Sequence, residues 1–426
     1  MNITEHTKSM CFDNEGSNNI YKRLVMRDNM AIGMWIGNGS DNLVLNCDAY
    51  RHWDSVSEGG VGGNVDGFGC HALAGSGNLF RGCWAWFNSD DGYDLITANY
   101  PEVTENCWAA YNGYDYNSES RGDGNGFKAG GFGGTATEDL SSPIPRHVVR
   151  NFLAVGNKQS GFYANHHPGG VTFIGNTALG NKRNFNMLNR LEDNTNDMDG
   201  YDHILRNNLG YAATSADLTD VDLAACGSSN NYLELPVISL MRLVSGSDLI
   251  DEGVAYGYPF VGDAPDLGAF EYGLSPAGIW RWNYFGGSSN SGDGAGTANP
   301  DTDSLVNLLE FACGTNPNLS NAGALTVNGV GGGSTPGTQV VEINITPFSA
   351  QARFIRLLDH ANSGITYTAQ FSHELSTWED LAGINAVRIP GTSAAGGYEA
   401  VELNYPEFLS NGKKARFFRM QINDEF

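Results

Sequence analysis

Four aspartates and one lysine stand at fixed offsets from a recurring glycine–aromatic pair. The pairs are Gly67-Phe68, Gly92-Tyr93, Gly126-Phe127 and Gly161-Phe162. The residues just before each glycine are Asp66, Asp91, Asn125 and Ser160, and those two after are Gly69, Asp94, Lys128 and Tyr163. If the pair marks equivalent points of a structural repeat, Asp66 stacks on Asp91, with Asp90 and Asp94 on the same edge, and Lys128 falls one repeat beyond Asp94. Carboxylates grouped in this way repel one another and raise each other's pKa unless a cation sits among them. Several hard oxygen donors suit Ca2+ better than zinc or magnesium. One aspartate in such a turn is ordinarily an Asx turn. Four in coherent register with a lysine in line point instead to a metal site, with Asp66, Asp90, Asp91 and Asp94 as candidate ligands. A lysine facing a bound cation has its ammonium form disfavoured by charge and desolvation, and a neutral amine is a competent general base. Lys128 is therefore the candidate base, the alternative being a solvated surface lysine.

A weaker cation pattern lies further on. Asn299, Asp301, Asp303, Leu305 and Glu310 occupy positions 1, 3, 5, 7 and 12 of an EF-hand-like loop, although Ser304 stands where glycine is usual. The segment resembles the dockerin-like or thrombospondin-type calcium linkers of secreted bacterial proteins. A solvated, Asp-rich stretch capping a helix is the competing reading.

The elements that position these groups follow from a repeat. Cys83 and Cys107 share one context, Gly-Cys-Trp-Ala and Asn-Cys-Trp-Ala, 24 residues apart; Asp66 and Asp90 show the same spacing, as do Phe152 and Asn176. A period in the twenties, with short strands such as Leu43-Val44-Leu45 and Thr172-Phe173-Ile174, predicts a parallel β-helix that stacks equivalent residues about 4.8 Å apart. Leucine-rich spacing is absent. The 56 glycines and many asparagines fit tight turns that need left-handed backbone. Cys47, Cys83 and Cys107 read as an inward stack of small apolar side chains rather than disulfides. The repeat fades after Asn207-Asn208-Leu209-Gly210, and residues 249–271 read as its closing segment. A Gly/Ser/Asp/Asn-rich linker (286–301), a short helix over Leu305–Ala312 stopped by Gly314, and alternating segments such as Gln339–Ile345 and Ala415–Met420 complete the chain. The expected class is all-β: a parallel β-helix catalytic domain over 1–273, a calcium-binding-like linker over 274–321 and a small β-sandwich over 322–426.

The formal charge is −24. Such acidity argues against nucleic acid or an anionic membrane as partner, and against a polyanionic substrate unless a cation bridges the two. No stretch has the length of a membrane span. The first residues, Met1 to His6, show no basic-then-apolar leader pattern.

The runs Asp66-Gly67-Phe68, Ser89-Asp90-Asp91-Gly92-Tyr93-Asp94 and Gly124-Asn125-Gly126-Phe127-Lys128 resemble polysaccharide lyase family 9, the pectate lyases of the PelL and Pel9A type, over about residues 20–272. The resemblance implies a right-handed parallel β-helix, with Asp66, Asp90, Asp91 and Asp94 as Ca2+ ligands and Lys128 as catalytic base. It implies a secreted, monomeric enzyme that cleaves polygalacturonate or a related uronate polymer by β-elimination. Asn165-His166-His167 departs from the plainer sugar-facing turn expected there. A β-helix polygalacturonase-like hydrolase and a non-catalytic adhesion solenoid are the alternatives; the Gly-His-Gly and Arg-Ile-Lys motifs of the hydrolases are missing.

Overall fold

The computed structural model describes the chain apart from residues 1, 5–9, 58–59, 74, 191–195, 233–237, 240–241, 321–322, 328–333, 336, 346–347, 358–359, 361–362, 381–386, 390–397 and 425–426. The sandwich boundary expected at residue 322 lies outside the described residues. The chain divides into two compact units, residues 1–257 with 262–272, and residues 258–261 with 273–426.

The first unit is a parallel β-helix, as the repeat predicts, and right-handed, as the resemblance implies. Each coil contributes one short strand to each of three eight-stranded parallel sheets. The sheet that matters for function runs through Ile32–Ile36, Phe68–Cys70, Tyr93–Asp94, Phe127–Lys128, Ser160–Tyr163 and Arg183–Asn186. Its inward row, Met34, Phe68, Tyr93, Phe127, Phe162 and Phe185, is buried, and successive rings stack, for example Phe68 on Tyr93 at 5.1 Å and Phe162 on Phe185 at 4.9 Å. Burying one such side chain contributes about 2–3 kcal/mol. Because side chains alternate faces, a one-residue slip would expel the whole row, so this pattern pins the register.

That register corrects one spacing. Phe68 pairs with Tyr93, which sets Asp66 against Asp91, so the 24 residues from Asp66 to Asp90 are not a step of the repeat. True steps along one corner measure 36 residues from Cys47 to Cys83 and 24 from Cys83 to Cys107; along another they measure 45 from Asn112 to Asn157 and 24 from Asn157 to Asn181. The bare coil is 24 residues, and longer steps hold inserted loops. Cys47, Cys83 and Cys107 are buried and unoxidised, with the Cys47 amide 3.5 Å and the Cys83 amide 3.2 Å from the next sulfur.

Asparagine does two jobs here. Asn46, Asn106, Asn151 and Asn207 take positive φ at corners, as expected. Others form internal ladders: Asn88 Nδ2 donates to Asn112 Oδ1 at 3.0 Å, Asn112 to Asn157 at 2.9 Å and Asn157 to Asn181 at 2.9 Å. Each rung satisfies buried polar groups that would otherwise lack partners.

The helix runs further than the sequence pattern suggests. Strands Leu209–Tyr211, Ala216–Thr219 and Gly227–Ser229 add a rung to all three sheets. Leu218 replaces the phenylalanine of the inward row at Phe185, which is why the repeat fades to the eye. The closing segment docks there: Leu249 and Leu267 pack with Leu209 and Leu243, and Gly268 donates to Asn207 O at 2.8 Å.

The second unit opens with helix α1, Pro276–Phe285, which the sequence reading left unassigned. Ser275 Oγ caps the Gly278 amide at 3.0 Å, Pro276 starts the helix and Gly286 ends it in left-handed backbone. Helix α2, Asn307–Cys313, ends at Gly314. Among the described residues the rest holds a two-stranded pair, Thr326–Val327 with Ser334–Thr335, and two antiparallel sheets of four and three strands; Ala352, Phe354 and Val401 of one share a core with Phe371 of the other, a small sandwich.

Candidate active site

Two rows of residues meet at the edge of the functional sheet. The outward row on the strands is Gly69, Asp94, Lys128, Tyr163 and Asn186, in direct register from coil to coil. The row at the turn before it is Asp66, Asp91, Asn125 and Ser160, linked as a ladder. The Asp91 amide donates to Asp66 Oδ1 at 3.0 Å, the Asn125 amide and Nδ2 to Asp91 Oδ1 at 2.6 and 2.9 Å, and the Ser160 amide to Asn125 Oδ1 at 3.1 Å. Glycine follows each because the next coil leaves no room: a Cβ on Gly92 would sit 2.6 Å from Gly126 O.

The ladder aims carboxylates at one point. Asp66, Asp91 and Asp94, all buried, bring one oxygen each to within 4.8 Å of one another. Lys128 Nζ lies 3.1 Å from Asp94 Oδ2 and 3.4 Å from Asp91 Oδ2, and its side chain is 17% exposed. Asp91 Oδ2 is buried with no hydrogen-bond partner. Asp90 stands outside the group of three; its oxygens accept from the Asn64 amide at 2.6 Å and the Asp123 amide at 2.9 Å.

Electrostatics follow from that crowding. Burial, then the charge of Asp90, pushes the Asp91 carboxyl up to about 8. Asp66 is raised too, first by burial and then by Asp90, Asp94 and Asp91. For Lys128 burial pulls downward, but Asp94, Asp91, Asp66 and Asp90 outweigh it and hold the ammonium above its ordinary value. The sequence expectation of a depressed lysine concerned a lysine facing a bound cation; among these carboxylates alone Lys128 serves as their counter-ion. The donor set is all oxygen and preassembled, and buried Asp91 Oδ2 accepts no hydrogen bond, having only its 3.4 Å ion pair with Lys128, which fits a hard divalent cation such as Ca2+.

Around this centre the Trp35 ring covers Gly69, where a Cβ would meet it at 2.4 Å, and packs tilted against His71, centroids 3.7 Å apart. The Asn165-His166-His167 turn splits its two histidines. His167 is buried, with Nδ1 accepting from the Gly131 amide at 3.1 Å and Nε2 at 2.6 Å from Pro145 O. His166 reaches Tyr163, its Nε2 lying 2.8 Å from the phenol oxygen. Sequence reasoning placed Tyr163 in the row but gave it no role.

The second acidic pattern also converges. Asp301, Asp303 and Glu310 place one oxygen each within 4.8 Å. Asn299 Oδ1, Asp301 Oδ2, Asn307 Oδ1 and Glu310 Oε2 are buried without hydrogen-bond partners. Leu305 joins the loop through its amide, 2.7 Å from Asp303 Oδ1. Burial, then Asp301 and Asp303, pushes Glu310 up to about 7. Asn307 was not among the expected residues, yet it holds the ninth position of the same loop, a place where EF-hands offer an oxygen.

Three parallel sheets wound into a helix, with an acid-and-lysine row along the edge of one of them, define the class of parallel β-helix proteins. The family described as Pel9A-like, right handed beta helix region matches residues 1–208. Over 281 residues the chain is 37% identical to pectate lyase L of Dickeya dadantii (strain 3937), covering 60% of this chain and 62% of that protein. The solved structure of pectate lyase Pel9A aligns with a TM-score of 0.50 and 31% identity, over 63% of this chain and 69% of that one. A solved rhamnogalacturonan lyase aligns at 46% identity and a TM-score of 0.49, over 54% of this chain and 58% of that one. The chain belongs to the Pel9A-like β-helix family. It spans a little under two thirds of the length of the Dickeya lyase. Among the described residues, no helix is long and apolar enough to cross a membrane.

Proposed function

We propose that the chain is a secreted, calcium-dependent polysaccharide lyase that cleaves polygalacturonate or a related uronate polymer by β-elimination. The observation that supports this best is the adjacency of Lys128 to Asp94 and Asp91 in one outward-facing register. Asp66, Asp91 and Asp94 would hold Ca2+, with Asp90 beside them. When bound, the ion supplies a bridge to the uronate carboxylate and draws electron density from it, acidifying the C5 proton. With the carboxylates so engaged, Lys128 loses the counter-ions that keep it charged, and its free amine takes the C5 proton. Its aliphatic stem is mostly covered, which keeps the amine at the cluster. A hydrolase reading fits less well. Inverting glycosidases keep their two carboxyls about 6.5–9.5 Å apart to admit a water, whereas Asp66, Asp91 and Asp94 gather within 4.8 Å.

The test is incubation with polygalacturonate, with calcium or with chelator. The expected result is ultraviolet absorbance from the unsaturated product, abolished by chelation and restored better by calcium than by magnesium or zinc. Reducing ends without that absorbance would establish a hydrolase, and full activity in excess chelator would end the calcium reading.

A second Ca2+ site is proposed in the loop from Asn299 to Glu310, with Asn299, Asp301, Asp303, Asn307, Glu310 and the Leu305 carbonyl as ligands. Its support is the four unsatisfied buried oxygens, which a cation would satisfy together.

A further inference from the structure

Tyr163 follows Lys128 in the outward row, its Cα in register with that of the lysine. Adjacent strands are about 4.8 Å apart, so both side chains face the same stretch of a polymer lying along the sheet. Tyr163 does not stand alone. Its Oη is 2.8 Å from His166 Nε2, and His166 Nδ1 is 2.8 Å from Asp197 Oδ1. Arg190 Nε holds the same aspartate oxygen at 3.2 Å.

Local backbone explains how these groups meet. Asn165 and His166 both take positive φ, 55° and 56°, one residue after the strand that ends at Tyr163. That turn brings the imidazole back beside the phenol, ring centroids 5.8 Å apart. Asp197 arrives on a hairpin in which it pairs with Arg190. Asp197 against Nδ1 favours the Nδ1–H tautomer, which leaves Nε2 to accept from the phenol. Burial pushes Tyr163 up to about 12, so at neutral pH the hydroxyl keeps its proton.

β-Elimination has two proton demands. The base removes one from C5, and the departing oxygen on C4 must gain one. Lys128 meets the first in the reading above, and the carboxylates around it have no proton to give once they hold a cation.

We propose that Tyr163 supplies the second proton, delivering it to the glycosidic oxygen as the C4–O bond breaks, with His166 and Asp197 as positioning residues. Lys128 Nζ gains the C5 proton. The C5–H pair becomes the C4=C5 double bond, and the C4–O pair leaves with oxygen. The phenol hydrogen swings from His166 Nε2 to that oxygen, and the proton held on Lys128 then returns through water to the tyrosinate, restoring both groups. This rests on the reading of Lys128 as base, and the experiment separates the two.

Tyr163→Phe is assayed on polygalacturonate with calcium in deuterated water, following both unsaturated product and deuterium at C5 of unreacted polymer. Loss of a general acid typically costs about 10²–10⁴ in rate. Elimination should fall by that factor while C5 exchange persists, because abstraction still occurs and the proton returns. Asp197→Asn should lower kcat with KM unchanged. Elimination by Tyr163→Phe at the wild-type rate overturns the proposal, as does loss of exchange together with elimination. Lys128→Ala should lose both signals; if it keeps both, the base reading fails by itself.

Discussion

Glu102 is fully buried in the coil that follows the Asp90–Asp94 turn, and Asn78 Nδ2 donates to its Oε1 at 3.2 Å. Burial outweighs that bond and its contact with the Cys70 thiol, and pushes the carboxyl up to about 8 from an ordinary value of 4.5. The sign follows from proton counting. Between pH 4.5 and about 8 the folded chain keeps a proton that the unfolded chain releases, so this group's contribution is fully present below pH 4.5 and is lost as pH rises. One pKa unit corresponds to about 1.4 kcal/mol, and relaxation of the surroundings reduces the effect, leaving on the order of 3 kcal/mol across the interval. Glu102→Gln stays neutral throughout and keeps an acceptor for Asn78. The assay is thermal unfolding of wild type and variant in chelator from pH 4.5 to 8.5. The two should melt together at the acid end, and the variant should melt higher near pH 8 by about 6 °C, taking about 2 °C per kcal/mol for a unit of this size. A melting difference that does not change with pH would refute the reasoning.

Lys128→Ala should lower elimination by about 10²–10⁴; in chelator it should also melt below wild type, because Asp91 and Asp94 lose their counter-ion, and calcium should narrow that gap. Glu310→Gln should bind one Ca2+ fewer than wild type by calorimetry while turnover on soluble polymer stays unchanged. Asn157→Ala should cost about 2–4 kcal/mol in denaturant unfolding, since it leaves the buried Asn112 backbone amide without its acceptor, at about 1–3 kcal/mol, and removes the Nδ2 bond to Ala109 O and some packing as well.

The register of the functional sheet was legible because an inward aromatic stands before the outward position on every strand from Phe68 to Tyr163, and that alternation sets Asp94 beside Lys128. What could not be read was which asparagines turn corners and which form ladders. Asn106 and Asn112 look alike in sequence, and only the three-dimensional path separates a positive φ from an inward amide. Asp90 looked equivalent to Asp91, but the turn gives its oxygens to two backbone amides. The Tyr163–His166–Asp197 contact joins a strand to a hairpin more than thirty residues on, and no periodicity announces it. Helix α1 carries its signals at both ends, Ser275-Pro276 before and Gly286 after, but the aromatic run Trp280 to Phe285 between them lacks a clear amphipathic period.

The ladders of asparagine, cysteine and phenylalanine link each coil only to the one above and the one below. Cohesion in such a stack is a nearest-neighbour property, so structure is lost by peeling from the ends rather than by simultaneous collapse. The acid-and-lysine row sits on the middle coils, with two strands of its sheet before Phe68 and two after Tyr163. Fraying of either terminal coil, by heat or by a protease, would therefore proceed for some distance before it reached the groove. Catalytic competence should outlast the earliest spectroscopic signs of unfolding.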